Sequence, residues 1–284
     1  MKYLLIFGFF LKVLLKFSLK VLLNRSKCGT IGLQIYKRST KMKNSYGLQL
    51  YSIRDITDKD LATSLEAVAD IGYKFVEFAG FFGHSASDVK AMLKNYGLEI
   101  SGTHSPLNDL RPTNIFETLK YHKELGNPNY IVPGADLSSL EKIHDFCSVM
   151  NFAQPIFEAE GIRLGYHNHS HEFALMPWGS TIHAEIERNT DIDFEIDTYW
   201  AFNAGIDPVK VLERLKHRIS VIHLKDGFMG GRGMALGEGE APVRDVIDAC
   251  ERLGFKMVVE SETLSPTGLE EVTRCMNYLC SIEK

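Results

Sequence analysis

The sequence predicts a single (β/α)₈ barrel, a closed ring of eight parallel strands surrounded by helices. From Tyr46 onward, short apolar runs alternate eight times with longer segments of helical periodicity. The junctions repeat the order helix, glycine, strand, as in "DIGYKFVEF", "NYGLEISGTH", "AEGIRLGYH" and "RLGFKMVVE". No Gly-rich dinucleotide fingerprint follows a strand, which favours the closed barrel over the alternative, an open doubly wound sheet.

The eight predicted strands are short and apolar, and turn residues bound each of them. They cover residues 46–51, 74–78, 99–104, 130–132, 163–169, 193–197, 221–225 and 256–260. The predicted helices cover residues 59–71, 86–96, 114–125, 138–160, 181–188, 208–216, 242–253 and 268–282.

Several helix ends carry their own signals. Asp58 and Asp207 stand where N-caps belong, and Pro208 suits a first helical turn. Glycines follow the last helical residues and predict left-handed C-terminal caps. These glycines are Gly72, Gly97, Gly126, Gly161 and Gly254.

Charge divides the chain into a basic arm, residues 1–43, and an acidic body, residues 44–284. The arm has ten Lys or Arg and no Asp or Glu, which leaves 22 basic and 36 acidic side chains and a net charge of −14 in the body. An acidic body repels a phosphate backbone, so no nucleic-acid partner is expected. The expected partner is a small carbohydrate, and a homo-oligomer stays open.

The arm has three interpretations. An apolar run over residues 4–11 resembles a signal-peptide core, which would mean export, and lysines at four-residue spacing suit an amphipathic helix on an anionic membrane. Otherwise the arm is non-functional upstream sequence and Met42 is the true start. No uncharged span of 18 residues is present, so a transmembrane helix is not predicted. We expect a cytoplasmic barrel.

Polar residues gather at the C-terminal ends of the predicted strands, where the βα loops of a barrel form the active site. Two or three imidazoles with two carboxylates suit a divalent ion such as Mn²⁺, Co²⁺ or Zn²⁺ better than Ca²⁺, which prefers oxygen ligands. The residues are Gln49, Arg54, Glu77, His104, His167, Asn168, His169, Asp197, His223, Lys225, Asp226 and Glu260.

Four segments, "GLQLYSIRD", "LGYHNHSHEF", "DIDFEIDTYW" and "SVIHLKDG", resemble the sugar phosphate isomerase/epimerase family with a xylose-isomerase-like barrel. The resemblance covers about residues 46–282. It implies one divalent ion, Mn²⁺ first, with Co²⁺, Zn²⁺ and Mg²⁺ as alternatives. Ketose epimerases of this family bind the ion through Glu, Asp, His and Glu from strands 5 to 8. The resemblance places the last three at Asp197, His223 and Glu260.

Strand 5 departs from that pattern. His167 in "YHNH" stands where the epimerases have Glu, so the expected metal ligands are His167, Asp197, His223 and Glu260. A metal-bound imidazole cannot use the bound nitrogen as a base, which leaves Glu260 as the ligand able to remove a proton. Isomerisation or elimination through a metal-stabilised enediolate is therefore expected, with Lys225 and His104 as auxiliary catalytic groups.

Other residues have supporting roles in this interpretation. Gln49, Glu77, His169 and Trp200 are expected to contact substrate, with core packing as the alternative for Trp200, and Asn168 and Glu172 to orient the ligands. The segment "GFMGGRGMALGEGE" after strand 7 is interpreted as a substrate lid.

Three classes of function stay open. The first is a metal-dependent isomerase or epimerase, or a dehydratase or lyase acting on a keto-sugar, 3-keto glycoside or inosose. The second is an endonuclease-IV-like phosphodiesterase with three zinc ions, which the acidic body disfavours. The third is a barrel that binds sugar without catalysis.

Overall fold

The computed structural model describes residues Met42–Glu283, and these form a closed barrel of eight parallel strands. Each strand pairs with its neighbours in sequence, and β1 closes the ring by pairing with β8. The strands are β1 (Tyr46–Gln49), β2 (Phe75–Ala79), β3 (Glu99–His104), β4 (Asn129–Val132), β5 (Arg163–His167), β6 (Asp193–Asp197), β7 (Ile219–Leu224) and β8 (Lys256–Val259). The predicted fold class and all eight strands are confirmed.

One principal helix follows each strand, as predicted, and the helices cover the outside of the barrel. They are α1 (Leu61–Ile71), α2 (Ala86–Tyr96), α3 (Ile115–Leu125), α4 (Leu140–Glu158), α5 (Ile182–Asn189), α6 (Pro208–Leu215), α7 (Val243–Leu253) and α8 (Gly268–Ile282). Short helices at Arg54–Thr57 and Thr198–Asn203 extend the loops after β1 and β6. Among the residues from Met42 to Glu283, no helix combines the length and apolarity that crossing a membrane requires.

The helix ends follow the local chemistry of the sequence, with two corrections. Asp207 caps α6 as predicted and Pro208 occupies its first turn. Asp58 was the wrong choice for α1, because Asp60 caps that helix by accepting a hydrogen bond from the Thr63 amide at 3.0 Å. The predicted glycines adopt positive φ, from 67° at Gly97 to 117° at Gly72. Gly161 does not cap α4, however, because that helix ends at Glu158 and Ala159 is its C-cap.

The inward-facing positions of the strands form two layers. At the N-terminal side Phe75, Val221 and Val258 make a small apolar cluster of their own, separate from the main core. A Cβ on Gly47 would collide with the Phe75 ring, so glycine is required for that ring to lie across the floor. Two residues further along each strand, the inward side chains are polar, because side chains two apart share one face.

The basic arm lies outside the described residues up to position 41. Met42 is partly buried against the hydrophobic core, and the Asn44 side chain donates hydrogen bonds to Glu251 at 2.6 Å and Glu283 at 2.7 Å. These contacts join the start of the described chain to α7 and to the C-terminal end of α8.

The glycine-rich segment after β7 is anchored along most of its length. The buried Asp226 carboxylate accepts hydrogen bonds from the amides of Gly227, Gly237, Gly239 and Ala241 at 2.8 to 3.1 Å. A short hairpin pairs Asp226–Gly227 with Gly233–Met234. The longest exposed stretch of the predicted lid is the tip at residues 228–232, while Gly237, Glu238 and Glu240 are exposed beside the anchored amides.

We expect Asp226→Ala to lower the free energy of unfolding by at least ~2 kcal/mol, because four amides lose a charged acceptor. Urea denaturation measures the loss, and hydrogen exchange at the amides of Gly237 and Gly239 should accelerate. Asp248→Ala, at an exposed carboxylate on α7, is the control and should change neither quantity. Unchanged exchange in Asp226→Ala would show that the loop is held by other contacts.

Candidate active site

A layer of imidazoles and carboxylates fills the C-terminal half of the barrel. His223 lies near its centre, with Nε2 2.6 Å from Glu77 Oε2 and Nδ1 3.2 Å from Glu260 Oε2. Gln49 donates to Glu77 at 2.8 Å. All four side chains are almost completely buried. Gln49 and Glu77, which the sequence assigned to substrate, contact each other, and neither lines the rim cavity described below.

Four residues bring their donor atoms together at the top of this layer. One nitrogen or oxygen from each of His167, Asp197, His223 and Glu260 lies within 4.8 Å of the others. They come from the ends of β5, β6 and β7 and from the residue directly after β8. The structure therefore gathers the four residues expected to bind metal.

Lys225 is buried with its ammonium among carboxylates. Its Nζ lies 3.1 Å from Glu260, 2.9 Å from Glu262 and 3.7 Å from Asp197. It also lies 4.8 Å from the centre of the Trp200 ring. Burial opposes the charge, but Glu260 and Asp197 hold the pKa of Lys225 above its ordinary value. Lys225 thus remains an ammonium that holds Glu260, and it is unsuited to act as a base.

The carboxyl groups of the layer differ in proton affinity. Burial and the charge of Glu77 raise the pKa of Glu195 to about 7. Burial raises the pKa of Asp197 to about 6 despite Lys225. Burial would also raise the pKa of Glu260, but Lys225 and His223 hold it well below its ordinary value. Of Glu195, Asp197 and Glu260, it is therefore Glu260 whose surroundings favour the ionised carboxylate.

A cavity of about 310 Å³ opens above the polar layer at the rim. Its volume is at the small end of the range for ligand sites. Larger depressions lie elsewhere, around Lys43 and Glu251 and around Asn151 and Asp191, but they lack the imidazole cluster. The lining residues of the rim cavity are Tyr51, Ala79, His104, Pro133, His167, His169, Glu260 and Glu262.

The remaining predicted residues support the rim. The Asn168 side chain holds the backbone of Asp197 through two hydrogen bonds, at 3.1 and 3.3 Å. Glu172 is buried and accepts hydrogen bonds from the Tyr166 hydroxyl at 2.7 Å and the His169 amide at 2.8 Å. The Trp200 ring contacts the Lys225 ammonium, and its centre lies 6.0 Å from the centre of the His169 ring.

Sequence reasoning missed Glu195 and Glu262. Glu195 lies on β6 two residues before Asp197, so strand alternation puts both on the inward face, and this signal was available. Glu262 lies in the loop after β8, with its side chain 28% exposed and Oε2 on Lys225. No periodic pattern predicts the direction of a side chain in such a loop.

The donor set fits a divalent ion. Asp197 Oδ2 is buried and, within the described chain, accepts no hydrogen bond. Its charged neighbour is the Lys225 ammonium at 3.7 Å, which is beyond hydrogen-bond distance. Native proteins rarely leave a buried carboxylate oxygen without a hydrogen bond or a bound ion, and a cation is one way to satisfy it. Two imidazole nitrogens with two carboxylate oxygens are the ligands that Mn²⁺, Zn²⁺ and related ions accept. We therefore expect His167, Asp197, His223 and Glu260 to hold the ion.

The fold and the site define a class, barrel enzymes that gather histidines and carboxylates at the C-terminal ends of the strands. The chain belongs to the xylose isomerase-like TIM barrel family, whose model matches residues 65–279. No protein of curated function shows significant sequence similarity to it.

Solved structures agree with this assignment. A sugar phosphate isomerase/epimerase from Parabacteroides distasonis superposes with a TM-score of 0.73 and 26% identity, covering 87% of this chain and 97% of that chain. An AP endonuclease, family 2, from Brucella melitensis has a TM-score of 0.66 and 14% identity, with coverage of 82% and 98%. The probable 3-DHS dehydratase AsbF from Bacillus anthracis gives 0.64 and 13%, with coverage of 84% and 99%. At such identities the last two show the fold alone.

Glu271, on α8, anchors the loop that carries Glu260 and Glu262. Its carboxylate accepts hydrogen bonds from the hydroxyls of Ser261 and Thr263 and from the Ser265 amide at 3.0 Å. Burial would raise the pKa of Glu271, but these donors lower it below its ordinary value. The stabilisation it contributes is therefore present above the unfolded-state pKa and is lost as pH falls through the folded-state pKa.

We expect Glu271→Gln to lower the free energy of unfolding at pH 7 by about 1–3 kcal/mol, the usual contribution of hydrogen bonds to a charged group. The difference from the parent should shrink below pH ~4, where the unfolded-state carboxyl is protonated. Urea denaturation at both pH values measures it, with Glu66→Gln at an exposed carboxylate as the control. An equal deficit at both pH values would contradict the role of the charge.

Proposed function

We propose that the protein is a divalent-metal-dependent isomerase or epimerase that acts on a sugar or sugar phosphate by removing a carbon-bound proton. One observation carries the proposal: His167, Asp197, His223 and Glu260 bring their donor atoms within 4.8 Å of one another beneath a rim cavity. The bound ion would polarise a carbonyl or hydroxyl oxygen of the substrate and stabilise the enediolate charge. The remaining steps belong to side chains of this chain.

Glu260 is the proposed base. It lines the cavity, and Lys225 and His223 hold its Oε2 at 3.1 and 3.2 Å. These contacts favour the ionised carboxylate, which is the form that accepts a proton. His104 also lines the cavity, with its Nε2 2.6 Å from Glu195. With both ring nitrogens protonated, His104 keeps its Nε2 proton on Glu195 and can pass the Nδ1 proton to a substrate oxygen.

The cavity favours an uncharged sugar over a sugar phosphate. Two of its lining side chains, Glu260 and Glu262, are carboxylic acids, and none is an arginine or lysine. The nearby Arg54 already donates to the backbone carbonyls of Tyr51 and Glu262 at 2.9 and 2.8 Å. A phosphate at this rim would approach carboxylates, which repel it.

Elimination is the second candidate, as a dehydratase or lyase acting on a keto-sugar, 3-keto glycoside or inosose. His167 offers a nitrogen where the two-carboxylate epimerases have Glu, so no second ligand carboxylate can return a proton at that position. His104 would then protonate the leaving oxygen. The products separate the two reactions, since only elimination lowers the number of oxygens in the carbon skeleton.

We expect the purified protein to bind about one divalent ion per chain. His223→Ala should lose most of that ion because it removes a central nitrogen ligand. Metal analysis after dialysis measures the ratio, and His217→Ala, at an exposed imidazole on the outer surface, should keep it. Three ions per chain would favour the phosphodiesterase class, and none would favour a sugar-binding barrel without metal catalysis.

We expect Glu260→Gln to keep much of the metal and to slow exchange of the substrate's carbon-bound proton with D₂O by at least ~10²-fold. The amide oxygen can still coordinate an ion, but it cannot accept the proton. A screen of free keto-sugars, 3-keto glycosides and inososes by NMR measures the exchange. Glu262→Gln is the matched variant, since it removes the neighbouring carboxylate of the same cavity and should slow exchange less. Normal exchange in Glu260→Gln would place the base elsewhere.

A further inference from the structure

Glu195 places one carboxylate oxygen among three imidazoles. Its Oε2 lies 2.6 Å from His104 Nε2, 3.1 Å from His167 Nδ1 and 3.3 Å from His223 Nε2. The residue has no exposed surface. Glu77 lies closer to His223, at 2.6 Å, so the principal partners of Glu195 are His104 and His167.

These contacts decide where the imidazole protons reside. A carboxyl oxygen that carries no proton of its own only accepts hydrogen bonds, so each nitrogen that bonds to Glu195 Oε2 in this way must carry a proton. In a neutral imidazole the other nitrogen is then bare and able to bind a metal. Glu195 thereby leaves Nε2 of His167 as its metal-binding atom. Glu77 in the same way accepts a hydrogen bond from Nε2 of His223. The metal-binding atom of His223 is then Nδ1, the nitrogen on the side of Glu260.

We infer that Glu195 is a positioning residue for the proposed metal site, which orients His167 as a ligand and His104 as the cavity-lining acid. The inference rests on the proposed function and adds a residue that does not itself touch substrate or the ion. One carboxylate thus couples the metal ligand of β5 to the proton donor of β3.

A purely structural role explains the arrangement less well. Burying a carboxyl group costs free energy unless its oxygens are satisfied, and within the described residues Glu195 Oε1 has no hydrogen-bond partner. No lysine or arginine among the described residues forms an ion pair with Glu195. A side chain kept only for packing would be apolar here, as Phe75 and Val258 are in the layer below.

The alternative is that Glu195 binds an ion directly. His104, His167, Glu195 and His223 also bring donor atoms within 4.8 Å of one another. The 2.6 Å separation between Glu195 and His104 is a hydrogen-bond length, and this favours positioning. Coordination would give a different result in the experiment below.

The experiment compares Glu195→Gln with the parent, both stripped of metal and titrated with Mn²⁺ by calorimetry. The amide keeps the shape of the side chain but loses its charge and adds donors that face the imidazole N–H groups. We expect Mn²⁺ affinity to fall about 10- to 100-fold, the usual effect of removing a partner that orients a metal-bound histidine. The metal-free melting temperature should not fall, since the change removes a buried charge. The visible spectrum of the Co²⁺ form should keep its shape.

Glu185→Gln, on α5, is the matched control. It also removes a buried carboxylate, but its partners are Ser180, Arg188 and Asn189, so Mn²⁺ affinity should be unchanged. Should Glu195→Gln fail to fold, Glu195→Asp keeps the charge and withdraws the oxygens by one methylene. It should weaken Mn²⁺ binding in the same direction.

The outcomes are distinguishable. A parent that binds Mn²⁺ and a Glu195→Gln variant that binds it equally would overturn the inference and leave the proposed function intact. Complete loss of binding with an altered Co²⁺ spectrum would show that Glu195 is a ligand, which also overturns the positioning role. A parent that binds no divalent ion would reject the proposed function, and the inference with it.

Discussion

Charge compensation inside the barrel is the constraint on which the site depends. Glu77, Glu195, Asp197 and Glu260 bury four carboxyl groups in one small volume. Among the described residues, Lys225 is the fully buried lysine that opposes them. One ammonium cannot balance four carboxylates, and low-dielectric surroundings make each uncompensated charge costly. Protons on the imidazoles and carboxyl groups supply part of the balance, and the proposed divalent cation would supply further charge without needing space for another side chain.

The backbone makes room for this polar layer through glycine. Gly102 faces the Glu77 carboxylate, where a Cβ would lie 2.7 Å from Oε1. On β5, a Cβ at Gly165 would lie 2.7 Å from Ile131 Cδ1. Larger residues at these positions would push the inner side chains toward the rim. The apolar floor, the glycines and the polar layer therefore form one packing arrangement, in which the depth of the site is set by small residues on several strands.

Those parts of the structure that depend on local chemistry could be predicted from the sequence. A glycine after a helix marks its end because the left-handed cap is a local conformation, as Gly97 and Gly254 show. The polar ends of the strands were found for a similar reason, since parallel strands bring their C-terminal ends to one rim. The N-cap of α1 could not be assigned in this way, because Asp58 and Asp60 both precede the same apolar helical pattern.

The rest depends on contacts between distant segments. The glycine content of the loop after β7 predicted flexibility, but Asp226 gathers amides up to 15 positions away, and composition carries no trace of such bonds. The polar pattern at the strand ends does not indicate Glu195, because this carboxylate lies two residues inside β6. Its partners, His104 and His167, come from two other strands. The polar strand ends predict which residues lie at the rim of the barrel. The contacts among side chains inside the barrel depend on the register between strands, which the sequence does not show.

Asp197 illustrates how the fold limits the coordination chemistry. Its Oδ1 accepts a hydrogen bond from the Trp200 amide at 2.8 Å and so caps the helix Thr198–Asn203, while Oδ2 is free of hydrogen bonds within the described chain. A carboxylate with one oxygen committed to a helix end binds a cation through the other oxygen alone. The swing to two-oxygen binding, by which flexible carboxylates adjust coordination number, is therefore opposed by the start of that helix. Under the proposed function, changes in the coordination of a bound ion would come from ligands other than Asp197.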